Sequence, residues 1–136
     1  MADIRHNVVI KVTPEKVYKA VTTQEGIEKW WCKNTTAKPE VRFVNIFIFG
    51  KFRNEMQVTK LDPNKRVEWK CINSIEEWID TEISFDMEEL NGNTILRFTH
   101  RGWKAVTDTF AGCNYDWAIF LKSLKSFCET GTGTPS

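Results

Sequence analysis

Apolar and polar residues alternate from the first turn of this chain. Ile4, His6, Val8, Ile10 and Val12 share one parity, and Arg5, Asn7 and Lys11 share the other, the period-two pattern of a strand buried on one face. Thr13-Pro14-Glu15 then predicts a helix start, with Thr13 as cap, Pro14 at the first helical position and Glu15 at the positive end of the dipole. That helix runs to about Thr22 with Val17, Ala20 and Val21 inward, and a second, from about Gln24 to Trp31, turns Ile27, Trp30 and Trp31 inward. From Val41 to His100 the alternation returns in five stretches: Val41–Phe49, Phe52–Leu61, Arg66–Ile72, Trp78–Leu90 and Thr94–His100. Turn residues separate several of them, as in Gly50-Lys51, Asp62-Pro63-Asn64-Lys65 and Asn91-Gly92-Asn93. Each stretch has one apolar and one polar face, as in an antiparallel sheet wetted on one side.

The period changes after His100. From about Thr107 to Thr130, residues set at 100° intervals gather Phe110, Cys113, Trp117, Phe120, Leu121, Leu124 and Cys128 on one face. Lys122, Lys125, Ser126 and Glu129 fall opposite, and Gly131 stands where a left-handed cap ends a helix. With no internal repeat and no linker, residues 1–131 read as one domain and residues 132–136 as a flexible tail. A sheet with one apolar face must be covered, and only this helix, about 36 Å long at 1.5 Å per residue, is long enough. The expected class is α+β: a curved antiparallel sheet wrapped around a long C-terminal helix, with two short helices after the first strand.

Composition narrows the function. In 136 residues, 19 Lys+Arg balance 18 Asp+Glu, so the clustered cationic surplus that nucleic acid requires is absent. No apolar run approaches the roughly 20 residues of a membrane span, and Met-Ala-Asp-Ile-Arg-His lacks a signal-peptide pattern. A cytoplasmic protein with neither nucleic acid nor membrane as partner is expected. The unusual feature is the aromatic content, six Trp, nine Phe and two Tyr. It means a bulky solid core or a lined cavity, and composition alone does not choose.

Ile10 to Trp31, with Thr13-Pro14-Glu15, Val17-Tyr18 and Gly26-Ile27-Glu28-Lys29-Trp30-Trp31, resembles the opening signature of the activator of Hsp-90 ATPase homologue-like family. That family lies within the START-related, Bet v-like helix-grip superfamily. Leu61-Asp62-Pro63 through Trp69 resembles its central hairpin, Gly92 to His100 its last strand, and Trp117 with Leu121 and Leu124 its helix signature. Tyr18 replaces a usual Trp, and Asp116 a usual Gly. The separate N-terminal domain of larger eukaryotic members is missing from the matched stretch. The resemblance implies the helix-grip fold and a cavity between sheet and helix. It also suggests a small hydrophobic or lipid-like ligand, with a chaperone partner as one alternative and cyclase- or hydrolase-type chemistry as another.

Candidate chemistry follows from parity. Trp69, Phe85, Phe98, Trp117 and Phe120 face inward with Met56 and Leu121 between them, and Asn54, His100 and Asn114 are the polar groups that converge there. The expected ligand-binding set is Asn54, Met56, Trp69, Phe85, Phe98, His100, Trp117 and Leu121; Trp31, Trp78 and Trp103, near element ends, would rim an entrance. His6 and His100, the only histidines, are inward on strands that the fold pairs, so they could handle protons or be satisfied core groups. Glu76, Glu77, Asp80, Glu82 and Asp86 read as a solvated face, not a paired-carboxylate site. No nucleophile motif, metal spacing or cofactor fingerprint is present, so no catalytic residue, metal or cofactor is expected. The four cysteines read as free thiols; Cys32, in an exposed turn, is the best placed to react, but with only Lys33 beside it as a cation it is expected to be inert.

Overall fold

The computed structural model describes residues 1–136. In chain order the elements are β1 (Ala2–Ile10), α1 (Pro14–Thr22), α2 (Gln24–Trp30), β2 (Asn34–Thr36), β3 (Val44–Phe49), β4 (Phe52–Asp62) and β5 (Arg66–Asn73), then β6 (Glu82–Leu90), β7 (Asn93–Trp103) and α3 (Asp108–Thr130). Seven strands form one antiparallel sheet in the order β1-β7-β6-β5-β4-β3-β2. The long α3 closes its apolar face, which makes this a helix-grip α+β fold. Thr107 caps α3 by accepting from Phe110 N–H, and Gly131, at φ 86, ends it in the left-handed conformation. Thr13 does not cap α1 through its side chain; Thr23 does cap α2, accepting from Gly26 N–H. Gly26 itself is required, because a Cβ there would lie 2.7 Å from Ala20 Cα and 2.8 Å from its carbonyl oxygen.

Four local departures from the sequence pattern bear on the cleft. The stretch expected as a strand from Val41 begins only at Val44, because Arg42 sits at φ 79. The three-residue β2 was too short to show a period. The strand expected from Trp78 is interrupted: Glu76–Trp78 form a 3-10 turn, Asp80 sits at φ 71, and β6 starts at Glu82. In a continuous strand Trp78 would share the outward parity of Glu82, and the break is what lets it turn inward. A register shift between Ala2 and Ile4 opposite β7, with Gly102 at φ 90, likewise switches parity and buries Trp103.

The C-terminal residues expected to fray are docked instead. Ser136 donates its N–H to Trp31 O at 2.9 Å and accepts from Lys33 N–H at 2.9 Å, and Thr134 N–H bonds Ser123 Oγ at 2.7 Å. Gly133 fits tightly against Lys29 O and Trp30 Cα, where a Cβ has no room. The outward face of the sheet carries the expected charges in ion pairs within and between strands. Arg66 bonds Asp86 and Glu68, and Arg101 bonds Glu82 and Glu68. These solvent-facing networks place the outward carboxylates away from the cleft.

Candidate functional site

The cleft between sheet and α3 is largely filled by aromatic rings. Trp31, at the end of α2, stands in the centre, with ring centroids 4.6 Å from Phe47, 5.4 Å from Phe49, 6.2 Å from Trp69, 5.2 Å from Trp117 and 6.1 Å from Phe120. A closed circuit runs onward from Trp69 to Phe85 (5.3 Å), Phe98 (5.3 Å), Trp117 (4.4 Å) and back to Trp31. These rings pack tilted and edge to face, with Trp31 and Trp69 stacked at 15°. Met56, Trp69, Phe85, Phe98, His100, Trp117 and Leu121 are all at most 1% exposed. Trp103 is buried rather than forming the rim of an entrance, and Asn114 is exposed rather than convergent.

What remains open is a pocket of about 320 Å³ on the outer side of Trp31. Trp31 and Phe120 wall it with Phe49 and Phe52 of the β3–β4 hairpin, Ile75 and Trp78 of the β5–β6 connection, and Asp116 of α3. Asn54 and Ser74 supply polar groups. Of the eight residues expected to bind a ligand, Asn54 alone borders this pocket; the other seven pack in the core beside it. Sequence reading placed Trp31 and Trp78 at an entrance, and both border this pocket, but it did not reveal how far the Trp31 ring reaches from its helix end. It missed Phe49 and Phe52 because a hairpin tip has no fixed inward face.

Polar contacts lock the walls. Asn54 Oδ1 accepts from Ser74 Oγ, and Asn54 Nδ2 donates to Phe47 O at 3.3 Å. Trp31 Nε1–H is buried with no partner, an arrangement that ordinarily costs about 1–3 kcal/mol. A larger groove, about 960 Å³, lies between α1, α2 and the end of α3. Only three of its thirteen lining residues are hydrophobic, Lys16, Lys19 and Lys29 stand among the rest, and it lacks the aromatic walls of the smaller pocket.

The histidines do not form a catalytic pair. They share one sheet face, His6 opposite Phe98 and His100 opposite Ile4, with no hydrogen bond between them. His100 is a satisfied core group: Nδ1 accepts from Trp117 Nε1–H at 3.1 Å, and Nε2 lies 2.8 Å from Thr81 Oγ1. Because Thr81 Oγ1 donates to Trp78 O, Nε2 carries the proton and donates to Thr81. One imidazole thus ties β7 to α3 and to the β5–β6 connection. No group of three or more His, Cys, Asp or Glu side chains gathers as metal ligands.

Cys32 does not lie in an exposed turn. It is fully buried, its Sγ lies 3.3 Å from Ile48 O and 3.4 Å from Asn34 O, and burial pushes its pKa up. Burial pushes Cys71 to about 11 and Cys128 to about 12. All four cysteines are free and, at neutral pH, these three are protonated.

Burial pushes the His100 pKa down to about 3, against an ordinary value of 6.5. The folded state therefore resists a proton that the unfolded chain accepts below pH 6.5, and stability falls as pH drops from there toward 3. Between about pH 7.5 and about pH 5 the loss is about 2 kcal/mol by linkage. Chemical denaturation across that range is expected to show this slope in the parent and to lose it in His100→Gln, whatever the variant's absolute stability. An equal slope in both would remove the buried neutral imidazole from the account.

Comparison with known proteins agrees with this architecture. The family model described as Activator of Hsp90 ATPase homolog 1-like protein matches residues 11–129. A search of curated proteins found no match. Among solved structures, the Aha1 dimer from Colwellia psychrerythraea is 42% identical, with a TM-score of 0.91, covering 98% of this chain and 100% of that one. Protein MLL2253 from Mesorhizobium loti (20% identity, TM-score 0.81, 92% of this chain and 95% of that one) shares the fold. So does CalU16 from Micromonospora echinospora (15% identity, TM-score 0.77, 97% of this chain and 76% of that one). The chain belongs to the Activator of Hsp90 ATPase homolog 1-like family.

Proposed function

We propose that this protein binds a small, mainly apolar ligand in the pocket outside Trp31. The observation that carries the reading is the pocket itself, about 320 Å³ with six of its nine lining residues hydrophobic, at the open end of a filled cleft. That volume is at the small end of ligand sites, roughly 300–1,000 Å³. It suits a compact ring system better than a long acyl chain. The Asn54 amide, which keeps a second N–H beyond its bond to Phe47 O, favours a ligand carrying a hydrogen-bond acceptor. In this reading Met56, Trp69, Phe85, Phe98, His100, Trp117 and Leu121 hold the wall in place, and Asn54 meets the ligand.

The family name supports a second reading, contact with a chaperone, and Tyr115 and Ile119, 70% and 44% exposed on α3, offer apolar surface for it. A rise in Hsp90 ATPase rate on adding this protein is the outcome that reading requires. The Colwellia relative is a dimer, and we extend self-association to this chain as part of the proposal.

Screening compact aromatic carbonyl compounds by thermal shift and Trp fluorescence tests the ligand reading. A binder is expected to raise Tm by mass action, about 2.7 kcal/mol of stabilisation at 100 times Kd, and to perturb the emission of Trp31 and Trp78. Ile75→Trp, which fills the pocket from an exposed rim position, is expected to abolish binding without lowering Tm. Equal binding by parent and Ile75→Trp would overturn the assignment.

A further inference from the structure

The pocket mouth is also where exposed apolar side chains collect. Phe52 (59% exposed) and Ile75 (36%) stand at its rim; Tyr115 and Ile119, on the outer side of α3, each precede in the chain one of the two α3 residues that line it. The charges around this mouth divide by side. Phe52 is flanked by Lys51 and Arg53 on the β3–β4 hairpin, whereas Ile75 is followed by Glu76, and Asp116 lies on α3. Arg53 is paired with Glu55, but Lys51, Glu76 and Asp116 have no ion-pair partner within the chain.

We propose that a second copy of this chain docks across this mouth about a two-fold axis, so that Phe52 of each copy roofs the other's pocket and Lys51 of each faces the other's Asp116 and Glu76. A two-fold contact presents the same patch on both sides, so the patch must be complementary to itself. A mouth of a single charge sign would repel its own copy. One with a basic edge facing an acidic edge satisfies the condition, and its apolar centre supplies the buried area. A stable contact covers about 800 Å² per partner, roughly a tenth of the 7389 Å² surface of this chain. The side chains involved are already exposed, so docking requires no rearrangement of the core. The inference rests on the self-association proposed above, and assigns its face; it does not depend on the ligand.

Sedimentation velocity on the full chain over a concentration series tests it. The parent is expected to dimerise, and Phe52→Asp to raise the dimer Kd by more than about tenfold, about 1.4 kcal/mol, with an unchanged circular dichroism spectrum and Tm. Lys51→Glu and Asp116→Lys are each expected to weaken the dimer, and the double variant to recover most of the parent affinity. A dimer whose Kd is unmoved by Phe52→Asp, with charge swaps that merely add, would overturn this face while leaving self-association standing. A parent that stays monomeric at the highest concentration would overturn self-association itself. Chaperone binding that Phe52→Asp abolishes in a monomeric parent would give the same face to a different partner, and would also overturn the proposal.

Discussion

The placement of the Trp31 ring decides the rest of this structure. A curved sheet and a long helix with facing apolar surfaces leave a volume that must be filled by side chains, ligand or water. Here the side chain at the end of α2 reaches into that volume and touches rings from β3, β5 and α3 at once. The backbone around it is held from several directions. Trp30 Nε1 donates to Ala20 O at 2.8 Å, Ser123 Oγ donates to Trp30 O at 2.7 Å, and the C-terminal Ser136 pairs with the backbone on both sides of Cys32. The docked C-terminus is thus part of what holds Trp31 in place.

The polar groups inside this apolar volume serve the same end. His100 is surrounded by Trp78, Trp103 and Trp117 rings and hydrogen-bonded at both nitrogens. Left unpaired in such a site, an imidazole would cost more than it contributes. Paired, it aligns α3 against β7 and fixes the inward turn of Trp78. That turn helps to form the far wall of the pocket, so the same bonds that settle the core also shape the opening. The result is a helix grip with a nearly solid interior and its open volume moved to one end.

Much of the fold was legible because the sheet and α3 obey simple periods. Phe85, Phe98, Trp117 and Leu121 lie on the inward faces that alternation and the 100° helical step assign them. The legible part stopped where parity breaks. Positive φ at Arg42, Asp80 and Gly102 marks three places where the alternation slips, and each redirects an aromatic or shortens a strand. The site was less legible than the fold for a related reason. Inward parity shows which residues face the cleft, but not which of them meet one another and which meet a void. Asn54 borders the pocket and Met56, two residues along on the same strand face, lies in the core, a distinction set by how far Trp31 reaches. The residues that do form the opening, Phe49, Phe52, Ile75 and Asp116, sit at turns, a short connection and a helix edge, where periodicity carries no signal.

If Trp31 is the plug, then removing its ring must empty the middle of the molecule. Chemical denaturation of Trp31→Ala, with and without benzene, measures this directly. The account predicts a loss of about 3–5 kcal/mol relative to the parent and partial recovery on adding benzene, which a dry apolar cavity takes up. The parent, already filled, would show no comparable gain. A loss under about 1 kcal/mol, far below the usual core Trp→Ala cost, with no response to benzene, would contradict the central placement of Trp31.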